Sequence, residues 1–457
     1  MILHRALFIV SLLILPTSPK LLANNTAKSF VDPNPFTHIA EDTVRKLPAL
    51  QILESRLDSI TNTYDMMGGI LALGCQDSEP EFFPLGVSDY ISQEPITPQT
   101  PFRIASISKM ITALGVMKLV QEDAIDLDAP LEVYFGYPIR NPKYPEEPIT
   151  TRQLLSHQSS IRDGEAYNRF LSVSYSSAEP PSLRSLLTPD GAYYSEELFG
   201  SKAPGNWFQY SNLNYGILGT LVEAVSNQAF DVFIKEHVFL PLGIPAGFSS
   251  YTRNYDQWPA TLYRKPGGVW TVQADGRPSE GTPQDGEKYP SKRDNVSIGI
   301  NAIPYGPQGS LRISAEDLMR ILLAMQQALS SGYSPENWLH TQTIEEMVGT
   351  QWSADTDQGD DYHGLFRAWG LGVHTLTTTE GNDILLSSSE RMFGHSGLAY
   401  GLVSSAYFDP QQEIRITFIT NGIGIPFTED DRSAFYSVEK DVFEAAERYL
   451  KTIRCFR

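Results

Sequence analysis

A chain of 457 residues with 41% hydrophobic content is long enough to bury a large core and to divide into two or three domains. Its formal net charge of −19 repels phosphate, which argues against nucleic acid and anionic membrane surfaces as partners and leaves small molecules, peptides or glycans. The spacing of Cys75 and Cys455 fits no zinc site and none of the eight histidines forms a His-Glu-x-x-His pair, so no metal is expected.

The N-terminus carries basic residues up to Arg5, an apolar run from Ala6 to Pro16, and Leu21-Leu22-Ala23 before Asn24. This pattern predicts a secretory signal over residues 1–23 and a periplasmic or secreted protein. The run is short for a bilayer span, with an uncleaved anchor as the alternative, and no later segment has the length to cross. A Pro-containing linker, 24–46, follows. Leu47 to Ile60 has helical spacing, and Gly69–Cys75 reads as a strand paired with Phe82–Val87 across the polar turn Gln76–Pro80. In an oxidising compartment Cys75 and Cys455 either pair, if the chain ends pack together, or stand as unrelated thiols.

From Ser106, the residues Ile107, Met110, Ile111, Leu114 and Met117 mark one buried helical face. Ser106 and Lys109 therefore share a face at a helix head. A Ser hydroxyl attacks only once its proton is removed, and a Lys amine held in a dry site can lose its own proton and act as that base. The helix end adds unpaired N–H groups and a positive dipole, although Ser is also a favoured N-cap.

Helices are expected at Arg152–His157, Asn214–Val225, Phe230–Phe239, Ala315–Leu329 and Thr343–Gly349, with residues 251–309 as a long surface loop broken at Lys265-Pro266-Gly267-Gly268. Tyr210 and Asn212, two apart in a loop, would face one cleft, where a lysine ammonium beside the phenol would lower its pKa below ten. Alternating runs place strands at Trp369–Leu376, Tyr400–Phe408 and Glu413–Asn421, with a hairpin turn at Asp409-Pro410 and a closing helix at Phe435–Ile453. His395-Ser396-Gly397 opens a strand, where an imidazole can relay a proton or hold positive charge near neutrality and the glycine lets a substrate backbone approach. These elements give an α/β domain from 47–105 and 366–457, an antiparallel sheet flanked by terminal helices, with a helical domain over 106–365 inserted.

Ser106-x-x-Lys109, Tyr210-x-Asn212 and His395-x-Gly397 occur in the order that resembles the serine β-lactamase-like hydrolases, of class C β-lactamase and D-alanyl-D-alanine carboxypeptidase type. The likeness extends to Thr97–Ala105, Gln153–His157 and Gly309–Leu318. It implies a β-lactamase/transpeptidase-like fold, α/β plus all-α, with the site in the cleft between the two parts and no cofactor. By motif, Ser106 is the acylating nucleophile, Lys109 helps deprotonate it, Tyr210 is the general base that later protonates the leaving group, and Asn212 orients substrate and Lys109. The N–H groups of Ser106 and Leu398 form the oxyanion hole, and Ser396 and Gly397 line the substrate strand. His395 stands where true β-lactamases carry Lys, which tilts the reading toward peptidase or esterase. Ser159-Ser160-Ile161 replaces the family's usual Ser-Gly-Leu, and His157 is expected to be structural.

Overall fold

The computed structural model describes residues 35–248, 255–277, 297–378, 382–425, 428–430 and 433–456. The expected signal segment and residues 24–34 of the linker lie outside them. From Arg45 onward the chain forms one compact unit, so the sheet and helical parts are two lobes of it rather than separable domains.

The first lobe is built on a helix, α1 (Pro35–Thr63), and on strands β1 (Met66–Cys75) and β2 (Glu81–Gly86). All of β1 but its last residue is buried. It is a continuous apolar run because both faces are covered: Ile70 and Ala72 enter one core, Leu71 and Leu73 the other. A short strand β3 (Pro101–Arg103) leads into α2 (Ser108–Gln121). The second lobe follows, with α3 (Thr151–Leu155), α4 (Glu165–Ser176), α5 (Asn212–Ser226) and α6 (Phe230–Ile234).

The segment read as a loop over 251–309 is different in the structure. Strands β4 (Leu262–Arg264) and β5 (Thr271–Ala274) pair antiparallel, and the Lys265–Gly268 breaker is the turn of their hairpin. Three- and four-residue strands are too short to show periodicity, which is why only the breaker was readable. After it come β6 (Arg312–Ser314), paired with β3, and α7 (Ala315–Ser331). The α7 start is capped by Ser314, whose side chain accepts from the Asp317 N–H, and its end by left-handed Gly332. Helix α7 packs on β1, β11 and β12, so the sheet lobe draws a helix from the span assigned to the helical part.

The chain closes with α8 (Thr341–Val348), β7 (Trp352–Ser353), β8 (Ala368–Trp369), β9 (His374–Leu376), β10 (Met392–Ala399), β11 (Leu402–Asp409), β12 (Ile414–Ile423) and α9 (Ser437–Thr452). The expected Trp369–Leu376 strand is interrupted: Gly370 to Val373 turn between β8 and β9. The sheet is antiparallel, in the order β2-β1-β12-β11-β10-β9-β8-β7, so strands from the two ends of the chain meet at the β1–β12 pair. One face is covered by α1 and α9, where Leu53, Leu57 and Ile60 meet Val442, Phe443 and Leu450 over Leu71, Ile416 and Phe418. Each such side chain contributes roughly 1.5–3 kcal/mol on burial. The opposite face carries the helical lobe. Among the described residues no single helix is long and apolar enough to cross a membrane.

Cys75, at the end of β1, and Cys455, just past α9, form a disulfide with their Cα atoms 5.7 Å apart. The packing of the two chain ends brings the thiols together, which the sequence left open. Cys455→Ser should lower the unfolding free energy by about 2–5 kcal/mol in denaturant titration, and addition of reductant should then change the variant little while destabilising the parent.

Candidate active site

Ser106 sits in a one-turn 3₁₀ helix, Ala105–Ile107, at the head of α2. The turn is entered through Ala105, a non-glycine residue in the left-handed region (φ 46°), a conformation that usually costs an L-residue about 1–2 kcal/mol. The Ala105 methyl is held by a small apolar cluster of Leu262, Ala274 and Leu402, two of which come from the β4–β5 hairpin. One turn on, Lys109 is fully buried. Its Nζ donates to Ser106 Oγ at 3.0 Å, Asn212 Oδ1 at 2.8 Å and the Gln308 carbonyl at 2.8 Å. Burial pulls its pKa down to about 7, against the opposing pull of the Asp163 carboxylate. An amine balanced near neutrality can accept the serine proton.

The Tyr210 phenol hydrogen-bonds to Ser106, so the serine oxygen lies against both candidate proton carriers. Its pKa, however, is raised rather than lowered. The Tyr210 ring is packed against His157 at 4.4 Å and Phe366 at 5.4 Å, and this desolvation outweighs the hydrogen bond from the serine side. The Lys109 Nζ stands 4.8 Å from the centroid of the same ring. In the resting site Tyr210 is a protonated donor.

Asn212 is the first residue of α5, behind Ser211 at the N-cap position. A residue that the motifs did not reveal fixes its side chain. Asp163 accepts from the N–H groups of Asn212 and Leu213, each at 3.0 Å, and from Ser211 Oγ at 3.0 Å, satisfying the exposed donors of the helix start. It also accepts from Asn212 Nδ2 at 2.7 Å, which turns Oδ1 toward Lys109. The available signal was an acidic residue just past Ser159-Ser160-Ile161. In that turn Ser160 takes a left-handed φ of 63°, the conformation a glycine would supply, and its Oγ accepts from Asn141. His157 is buried and held neutral, its Nδ1 accepting from the Ser211 N–H at 3.1 Å, so it supports the Tyr210–Asn212 segment.

His395 reaches the same pocket from β10, with its ring 5.3 Å from Trp369 and 6.2 Å from Tyr210. The expectation of a positive charge here is overturned. Burial, with the Lys109 charge nearby, holds the imidazole well below its ordinary range and therefore neutral. Its Nδ1 lies 2.6 Å from the Ser396 carbonyl and must be the protonated nitrogen, leaving Nε2 as an acceptor with no partner among the described residues. Ser396 turns its hydroxyl to Tyr407 on β11 rather than to the cleft. At Gly397 a Cβ would fall 2.5 Å from the Ile104 carbonyl and 3.0 Å from Ser106 N, so glycine is what allows β10 to close on the nucleophile turn. That closure brings β10, at the residue before Leu398, against the Ser106 backbone nitrogen. The Leu398 side chain itself is exposed. The β9 pairing of β10 stops at Gly394, leaving this half of the strand free on its cleft side.

The beta-lactamase family profile matches residues 57–437. Over 181 residues the chain is 28% identical to the putative penicillin-binding protein PbpX of Bacillus subtilis, an alignment covering 39% of each protein. The matches span only about a third of the curated relatives' length. Among solved structures, the octameric penicillin-binding protein homologue of Pyrococcus abyssi superposes with a TM-score of 0.61 at 22% identity, over 82% of this chain and 74% of that one. The D-amino acid amidase of Ochrobactrum anthropi SV3, complexed with D-phenylalanine, gives 0.60 at 21% identity, over 89% and 99%. These neighbours share the β-lactamase/transpeptidase-like fold.

Because the Asp163 carboxylate raises the Lys109 pKa, its removal has a defined sign. Asp163→Asn should move the acidic limb of the kcat/KM profile from near pH 7 to lower pH, as the amine deprotonates more readily. Loss of the helix cap should also cost about 0.5–2 kcal/mol in denaturant titration.

Proposed function

The chain belongs to the beta-lactamase family, and from that membership we propose that it is a serine hydrolase working through an acyl-enzyme on an amide or ester substrate. The observation that carries this reading is the Ser106 Oγ held 3.0 Å from a buried Lys109 amine whose pKa is brought to about 7. In the proposed cycle Lys109 takes the Ser106 proton as Oγ attacks the substrate carbonyl carbon. The oxyanion that forms is met by the N–H groups of Ser106 and Leu398, an interaction worth about 3 kcal/mol per donor in such sites. Tyr210, protonated at rest, donates to the departing nitrogen or oxygen, and the Lys109 ammonium returns a proton to Tyr210. Water then releases the acyl group by the same path in reverse. Asn212, aimed by Asp163, keeps Lys109 in place.

Within this class we place the activity with D-alanyl-D-alanine carboxypeptidase-like peptidases and esterases rather than true β-lactamases. The replacement of their lysine by His395 supports that choice, since burial holds the imidazole neutral where a lysine would offer a charge. The partner is then a small molecule or peptide and not a nucleic acid. The N-terminal pattern and the Cys75–Cys455 disulfide favour a secreted or periplasmic location.

A fluorophosphonate should label Ser106 of the folded protein and fail to label Ser106→Ala, as read by peptide mass spectrometry; an unlabelled parent would refute the assignment. Lys109→Ala and Tyr210→Phe are each expected to lower kcat by about a hundredfold or more. Parallel assays on a D-alanyl-D-alanine peptide, a short-chain ester and a chromogenic cephalosporin should show the cephalosporin turned over slowest.

A further inference from the structure

Beneath the nucleophile turn lies an ionic cluster that none of the motifs includes. Strands β3 and β6 pair so that Arg103 and Arg312 stand directly opposite each other. Two like charges in that register repel, and both side chains are only 7% exposed, so water does little to screen them. Between them sits Asp275, 1% exposed, at the end of the β4–β5 hairpin. Its Oδ2 accepts from Arg103 Nε at 2.7 Å, and its Oδ1 from Arg103 Nη2 at 3.1 Å, Arg312 Nη2 at 2.6 Å and Arg312 Nε at 3.2 Å. One carboxylate thus receives two guanidinium forks, the geometry in which Arg pairing is most directional.

Both arginines lead to the reacting atoms. Arg103 is three residues before Ser106, and its Nη1 also donates to Ser310 Oγ. Arg312 Nη1 donates to the Ser310 carbonyl at 2.8 Å, which anchors the end of the 306–310 turn. That turn presents the Gln308 carbonyl, one of the three acceptors of Lys109 Nζ. The same hairpin supplies Leu262 and Ala274 to the pocket around the left-handed Ala105.

We propose that Asp275 is a positioning residue for acylation: by gripping Arg103 and Arg312 it sets the spacing between the strand that delivers Ser106 and the segment whose carbonyl holds Lys109. The proposal rests on the acyl-enzyme reading above. It assigns the β4–β5 hairpin a part in catalysis without contact with substrate.

Fluorophosphonate labelling kinetics of the full chain test it, with folding monitored by circular dichroism. Asp275→Asn should lower the maximal labelling rate constant at least about tenfold, misplacement of reacting groups being worth up to about a hundredfold. The probe concentration giving half that rate should stay within about twofold, and Asp275→Glu should recover part of the loss. If Asp275→Asn does not fold, the double variant Asp275→Asn/Arg312→Gln, which leaves no facing pair of guanidiniums, carries the same expectation. A labelled parent with folded variants reacting within about twofold of it would overturn the role of Asp275 alone. An unlabelled parent would overturn the acyl-enzyme reading and this proposal with it.

Discussion

An amine sealed from water is the constraint around which this molecule is arranged. Lys109 is fully buried, and a charged ammonium there must be fully hydrogen-bonded or lose its proton. The fold answers with both: three acceptors drawn from the 3₁₀ turn ahead of α2, from α5 and from the 306–310 turn, and a pKa brought to about 7. Two of these acceptors are in turn held by something else, Asn212 by Asp163 and the Gln308 segment by Arg312 and Ser310. Loosening any of these supports changes the balance between ammonium and amine before it changes any contact with substrate.

The three titratable partners divide the labour by environment rather than by residue type. Lys109, Tyr210 and His395 are all desolvated, and desolvation disfavours charge in each. Burial thus favours the uncharged form of each: an amine balanced near neutrality, a protonated phenol and a neutral imidazole.

Much of this was legible in the sequence, and what was not has a physical reason. The Ser106 helix, the paired Gly69–Cys75 strand and the closing helix announced themselves through apolar periodicity, and the three motifs located the cleft. The charge on His395 was misread because burial cannot be seen in a tripeptide; the imidazole is enclosed by Trp369 and Tyr210, far off in sequence. The direction of the Tyr210 shift failed for the same cause. Asp163 and Asp275 were missed because each acts through hydrogen bonds to residues 37–172 positions away. The β4–β5 hairpin was hidden by strands too short to have a period.

The disulfide between β1 and the chain end has one more consequence. Cys75 and Cys455 are separated by 380 positions, so they close the candidate cleft residues and everything from the end of β1 to the end of α9 into one covalent ring. A single peptide-bond cut anywhere in that ring, including one in an exposed connection of the helical lobe, opens the ring without releasing a fragment. A nicked molecule of this design keeps all its parts at a fixed stoichiometry of one.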